Sequence, residues 1–189
     1  IADPISFTVE KGKIYRSVDG EQAEIDTIAM EDQATEVIIS KTDITSGKEL
    51  PGATLQILKK VKAATDAGEE VEKEETVITI YGEKLEWVSG ETTKTIKGLP
   101  AGEYILRETA APNGYTIAKD VKFTVTDELK AAETVTMKDA AIEAVISKVD
   151  ITNAEKELPG AELQIMDTEG KEVVKTIFGE ELKWTSAET

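Results

Sequence analysis

The feature that most constrains this chain is an internal repeat. Val-Ile-Ile-Ser-Lys-Thr-Asp-Ile-Thr at 37–45 returns as Ala-Val-Ile-Ser-Lys-Val-Asp-Ile-Thr at 144–152. Lys-Glu-Leu-Pro-Gly-Ala-Thr-Leu-Gln-Ile at 48–57 returns as Lys-Glu-Leu-Pro-Gly-Ala-Glu-Leu-Gln-Ile at 156–165, and Gly82–Trp87 returns as Gly179–Trp184. Equivalent lysines, Lys41 and Lys148, stand 107 positions apart. At the other end, Ile5-Ser6-Phe7-Thr8-Val9 resembles Val121-Lys122-Phe123-Thr124-Val125, and Ile28–Asp32 resembles Val135–Asp139. Self-similarity at a fixed period marks a unit that folds once per repeat. Residues 1–33 are therefore expected to be the tail of a preceding repeat, 34–141 a complete one, and 142–189 the head of a third. The second copy aligns Thr189 with Thr92, and Ile1 is no initiator methionine, so the chain is expected to be a window from a longer protein.

Within the complete repeat every local signal is β. Short runs rich in Val, Ile, Thr and Tyr alternate with turns at Ser46-Gly47, Pro51-Gly52, Gly82, Gly98–Gly102 and Pro112-Asn113-Gly114. Several short strands in about 100 residues predict a β-sandwich. The segment 59–76, which runs into Glu-Glu-Val-Glu-Lys-Glu-Glu, has no counterpart in the third repeat. It reads as an acidic surface loop inserted between strands, with room for a short helix.

Composition closes off several chemistries. The net charge of −16 disfavours nucleic acid and anionic membranes as partners. With no histidine and no cysteine, the chain offers no His- or Cys-ligated metal site, no Ser-His-Asp triad, no cysteine nucleophile and no disulfide. No apolar run approaches membrane-spanning length and no leader opens the chain, so no membrane insertion is expected in this window. No cofactor and no metal are expected.

Three strands carry a charge where a core residue belongs. Side chains of a strand alternate between faces, so Val37, Ile39 and Lys41 share one face. So do Tyr104, Leu106 and Glu108, and so do Val135, Met137 and Asp139. The partial repeats keep the phase: Ile146 with Lys148, and Ile28 and Met30 with Asp32. Buried charges are rare unless paired, because desolvation costs several kcal/mol. One reading is bland: strand-end residues whose heads reach water, or one buried salt bridge with a spare carboxylate. The other is chemical. A low-dielectric site favours neutral forms, an uncharged Lys41 amine is a nucleophile, and a protonated Asp139 carboxyl is an electrophile with a leaving group. A protonated Glu108 beside them would hydrogen-bond the Asp139 carbonyl and shuttle protons. The product is a neutral Lys–Asp amide plus water, and no external catalyst is required if the fold holds the groups at contact distance.

Four motifs in order then resemble a known family. Ile39-Ser40-Lys41-Thr42-Asp43, Leu50-Pro51-Gly52-Ala53, Glu108-Thr109-Ala110-Ala111-Pro112-Asn113-Gly114-Tyr115 and Val135-Thr136-Met137-Lys138-Asp139 are similar to those of CnaB-type (SpaA-like, prealbumin-like) domains of Gram-positive surface adhesins and pilins. The resemblance runs through the whole chain in three registers. It implies tandem immunoglobulin-like (CnaB/prealbumin-like) all-β sandwich repeats, each with a spontaneous isopeptide bond between first and last strands. Lys41 matches the family lysine, Glu108 the catalytic acid and Asp139 the acceptor. Many members carry Asn at the acceptor position; Asp here makes water the leaving group. Asp32 and Lys148 match cross-link residues of the flanking repeats, and each is expected to react within its own repeat, not with the other. The resemblance further implies an extracellular, wall-attached structural stalk with no turnover on external substrates and with neighbouring repeats as partners.

Competing readings carry less. Trp87 and Trp184 sit at equivalent positions, and single repeated tryptophans read as core sooner than as a carbohydrate platform. Glu108 with Asp139 could form a glycosidase pair, but a lysine on the same inner face argues against it. The acidic run 69–75 lacks the spacing of a calcium loop. A second functional class stays open: a binding module whose segment 59–76 contacts a host matrix or cell-surface ligand.

Overall fold

The computed structural model describes residues 4–18, 20–30, 32–65, 69–128 and 132–187. Residues 66–68, at the middle of the acidic segment, and Thr189 lie outside them. Strands β1 (Thr8–Glu10), β2 (Lys13–Val18) and β3 (Glu21–Ile25) form a small antiparallel sheet. The next eight strands are β4 (Glu36–Asp43), β5 (Thr54–Ala64), β6 (Glu70–Thr76), β7 (Glu86–Val88), β8 (Lys94–Lys97), β9 (Gly102–Ala110), β10 (Val121–Val125) and β11 (Glu133–Asp139). Two hairpin-like pairs follow, β12 (Val149–Asp150) with β13 (Asn153–Glu157) and β14 (Glu162–Gln164) with β15 (Lys183–Thr185). No helix occurs among the described residues.

Strands β4 to β11 build a two-layer sandwich. One layer is β11-β4-β8; the other is β10-β9-β5-β6, with β7 also paired to β5. The alternation seen in sequence decides what fills the space between the layers. Val37, Ile39, Ile96, Val135 and Met137 come from the first sheet; Leu55, Ile57, Tyr104, Leu106 and Val125 come from the second, all buried in one cluster. Each such side chain contributes roughly 1.5–3 kcal/mol on burial. The first and last strands, β4 and β11, lie side by side and parallel, with Met137 opposite Lys41 and Asp139 opposite Asp43.

The acidic segment corrects an expectation. Most of its described residues are strand and none is helix: β5 runs on to Ala64 and pairs with β6 along Leu58–Ala64 and Glu70–Thr76. Lysines on one strand face glutamates on the other, with Lys60–Glu72 at 3.1 Å and Lys62–Glu70 at 3.0 Å. This cross-strand charge match favours a hairpin over an irregular loop. Trp87 is half-buried against the core, with the Lys94 ammonium 5.6 Å from its ring centroid.

Candidate functional site

At the end of the sandwich the two layers bring Lys41, Glu108 and Asp139 together. All three are buried: 2 %, 4 % and 1 % exposed. Lys41 and Asp139 come from neighbouring parallel strands, two register positions apart, so the long lysine side chain reaches along the sheet to the shorter aspartate. Its Nζ is in direct contact with Asp139 Oδ1 and lies 3.2 Å from Glu108 Oε1 across the sandwich.

Glu108 keeps the inward phase of Tyr104 and Leu106 and pairs in regular register with Leu55. The β5–β9 ladder slips just after it, skipping Thr109 to pair Thr54 with Ala110, a bulge that breaks the regular pairing next to the site. Glu108 Oε2 accepts a hydrogen bond from the Ala118 N–H at 2.7 Å. On the outer face, the neighbouring Arg107 grips Asp120 through Nε (3.0 Å) and Nη2 (2.6 Å), and Glu74 of β6 through Nη1 (2.5 Å). The segment 118–120 is thus tied to β9 from both sides of the sheet.

Fully ionised, two carboxylates around one ammonium would leave a net negative charge in a buried site. Asp139 Oδ2 is buried with no hydrogen-bond partner and Glu108 Oε1 has only its 3.2 Å ion pair with Lys41; an orphaned buried acceptor is costly. Burial pushes the Glu108 carboxyl above the ordinary range, with the charge of Asp139 acting the same way, against the opposing pull of the Ala118 N–H and of Lys41. A protonated Glu108 turns one oxygen into a donor. A cavity of about 430 Å³, bordered by Trp87, Ser89, Glu49 and Lys94, reaches Lys41 from the surface.

Sequence reasoning missed Asp43 and Tyr115 as parts of this site. Asp43 is buried and stands opposite Asp139 in register. It accepts from the N–H groups of Ser46 (2.6 Å) and Thr45 (2.8 Å) and from the Tyr115 hydroxyl (2.8 Å). The Ser46 N–H foremost, then the Tyr115 hydroxyl, hold its carboxyl below the ordinary range. The Tyr115 hydroxyl is pushed up, mainly by its bond to Asp43 and also by the negative charge of Asp139. Tyr115 reaches this place because Gly114 (φ 83°) closes the Pro112-Asn113-Gly114 turn and backbone bonds tie Thr116 to Ala140 (3.0 Å) and Ile142 to Gly114 (2.7 Å). The phase argument found charges on core strands; a turn tyrosine lies outside any strand period. Asp32 and Lys148 are both exposed, with no ion pair between them among the described residues.

The shaft pilin SpaA from Lactobacillus rhamnosus GG is similar at 16% identity and a TM-score of 0.42, over 61% of this chain and 49% of the pilin. The group B streptococcus pilus 2b backbone protein gives 20% identity and a TM-score of 0.40, over 74% of this chain and 53% of that one. The pilus adhesin RrgA from Streptococcus pneumoniae gives 19% and 0.47, over 70% of this chain and 18% of the adhesin. The chain thus spans about half the length of the first two and under a fifth of the third. No curated protein matches it in sequence. The family profile of the SpaA prealbumin-like fold domain matches residues 35–141, more than half of the chain, and the chain therefore belongs to that family.

Proposed function

We propose that this chain is a segment of a cell-surface stalk, pilin or adhesin, whose complete repeat, residues 34–141, is locked by a Lys41–Asp139 amide. The contact of Lys41 Nζ with Asp139 Oδ1 beside a buried Glu108 carries the reading. As the free amine, Nζ attacks Cγ of the Asp139 carboxyl. Glu108 donates a hydrogen bond to the Asp139 oxygen that gains charge, and relays a proton from Nζ to the departing hydroxyl. The new bond is Nζ–Cγ, the broken one is Cγ–O, and one water leaves. Ammonium plus carboxylate becomes amide plus water, so the buried charges of the pair disappear together with their desolvation cost. The geometry supplies proximity and desolvation, and the reaction runs once per molecule, with neither cofactor nor metal. Family membership supports an extracellular, wall-attached setting with neighbouring repeats of the chain as partners; residues 1–33 and 142–189 are read as parts of the adjoining repeats.

Intact mass decides the matter. The folded protein is expected to be lighter than its sequence by one water, with a Lys41–Asp139 cross-linked peptide on digestion. Glu108→Ala is expected to fold yet keep full mass or react far more slowly. Full mass in the folded wild type would refute the reading.

A further inference from the structure

Strand β8 accompanies β4 only from Glu36 to Ile39, so the backbone of Lys41 has no strand on that side. Its two polar groups turn to the segment after the Ser46-Gly47 turn. The Lys41 N–H donates to Glu49 Oε2 at 3.1 Å, and the Leu50 N–H donates to the Lys41 carbonyl at 2.7 Å. The other Glu49 oxygen, Oε1, accepts from the buried Ser40 hydroxyl at 2.6 Å. One half-buried carboxylate thus holds two successive residues of β4, and one of them is the lysine.

Two of these three bonds recur in the chain. In the third repeat the Ser147 hydroxyl donates to Glu157 Oε1 at 2.5 Å, and the Leu158 N–H donates to the Lys148 carbonyl at 2.7 Å. There the residues flanking the small sheet β12–β13 make these contacts. All the partners lie within about ten residues of the lysine in sequence, so the brace is local: it needs the turn that joins the lysine strand to the Lys-Glu-Leu-Pro segment.

Building on the Lys41–Asp139 reading, we propose that Glu49 is a positioning residue for amide formation. Its carboxylate fixes the register of β4 at Lys41, so that Nζ is aimed into the sandwich ahead of the arrival of Asp139. The physical need is specific. A one-residue slip turns every side chain of a strand to the opposite face, and a misplacement of about 1 Å costs on the order of 100-fold in rate. Without Glu49 the Lys41 N–H would be a buried donor with no partner, and β4 would relax to satisfy it.

The test follows water loss over time. Protein made by cell-free synthesis is chased, quenched in acid and weighed intact, while tryptophan fluorescence reports folding at a temperature where all variants are folded. Glu49→Ala is expected to slow water loss about 10- to 100-fold. Glu49→Gln, which keeps one acceptor oxygen for two donors, is expected to fall between it and the wild type. Thr79→Ala is the control. It removes the buried hydroxyl that accepts from the Tyr81 N–H (3.3 Å) and the Glu83 N–H (3.2 Å), in a turn that makes no contact with Lys41 or Glu49, and should react at close to the wild-type rate. Equal rates for wild type and the folded Glu49 variants would overturn the proposal. So would equal slowing by Thr79→Ala and Glu49→Gln, which would make the effect one of stability. If Glu49→Ala does not fold, Glu49→Gln decides. A wild type that never loses water fails the amide reading itself, a different outcome from any of these.

Discussion

At the scale of residues, the site depends on three ionisable side chains that tolerate burial only as a set. Removing either carboxyl partner leaves a buried ammonium less compensated, which costs several kcal/mol in comparable sites, whereas converting the pair to an amide removes the charge altogether. Asp43 works in the opposite sense from Glu108. It stays ionised in a ring of donors, its carboxyl held low by the Ser46 N–H and the Tyr115 hydroxyl. A carboxyl lowered by folding stabilises the folded state above its unfolded value, about 3.9, and that stabilisation is lost as the pH falls through the lower folded value. Urea unfolding of the unlinked Glu108→Ala protein between roughly pH 5 and 2 should therefore show an acid-induced loss that Asp43→Asn diminishes. An unchanged acid slope in the Asp43→Asn protein would remove Asp43 from this account.

At the scale of elements, β5 divides its length between two tasks. Its first half, Thr54–Leu58, lines the core and pairs with β9 and β7; its second half leaves the sandwich with β6 as an exposed hairpin. The ion pairs across that hairpin are solvent-exposed, and exposed pairs contribute at most about 1 kcal/mol each. The Glu74–Arg107 contact ties it back to the sandwich, beside Glu108. Replacing residues 60–75 by a tight turn should therefore leave water loss intact and shift stability by only about 1–2 kcal/mol, measured by mass and by denaturant unfolding. Failure of the shortened protein to cross-link would show that the hairpin, through Arg107, helps hold β9. The charged hairpin edge also suits a protein that must not pair edge to edge with its copies.

At the scale of the whole molecule, the amide would join the strand that enters the sandwich to the one that leaves it. It closes a span of 98 positions. By analogy with disulfides, a loop near that length restricts the unfolded chain by about 4–5 kcal/mol. Force applied along the chain would pass from β4 to β11 through covalent bonds and leave the other strands unloaded. Single-molecule pulling of the wild type should lack an extension of about 330 Å, the contour of the locked span, and Lys41→Ala should restore it. That extension in the fully reacted wild type would contradict the load path.

Much of this was legible in the order of residues. Strand alternation has a period of 2 and needs no partner to be read, so Lys41, Glu108 and Asp139 declared themselves as charges on apolar faces. The repeat likewise led to the expectation of one complete unit over residues 34–141. What alternation lacks is the third dimension. It says which face a side chain takes, and nothing of which strand lies opposite. That β4 and β11 run parallel, that Lys41 reaches diagonally to Asp139, and that Glu108 meets both from the opposite sheet all depend on pairing and packing across long sequence separations. The hairpin at 58–76 was within reach, since its lysines and glutamates complement each other across the turn, but a glutamate-rich run reads as solvated loop when scanned along one strand only. Asp43, Tyr115 and Glu49 were hidden for a different reason. Their roles come from hydrogen bonds made by turns and strand ends, where no periodicity operates and only the folded backbone decides which donor meets which acceptor.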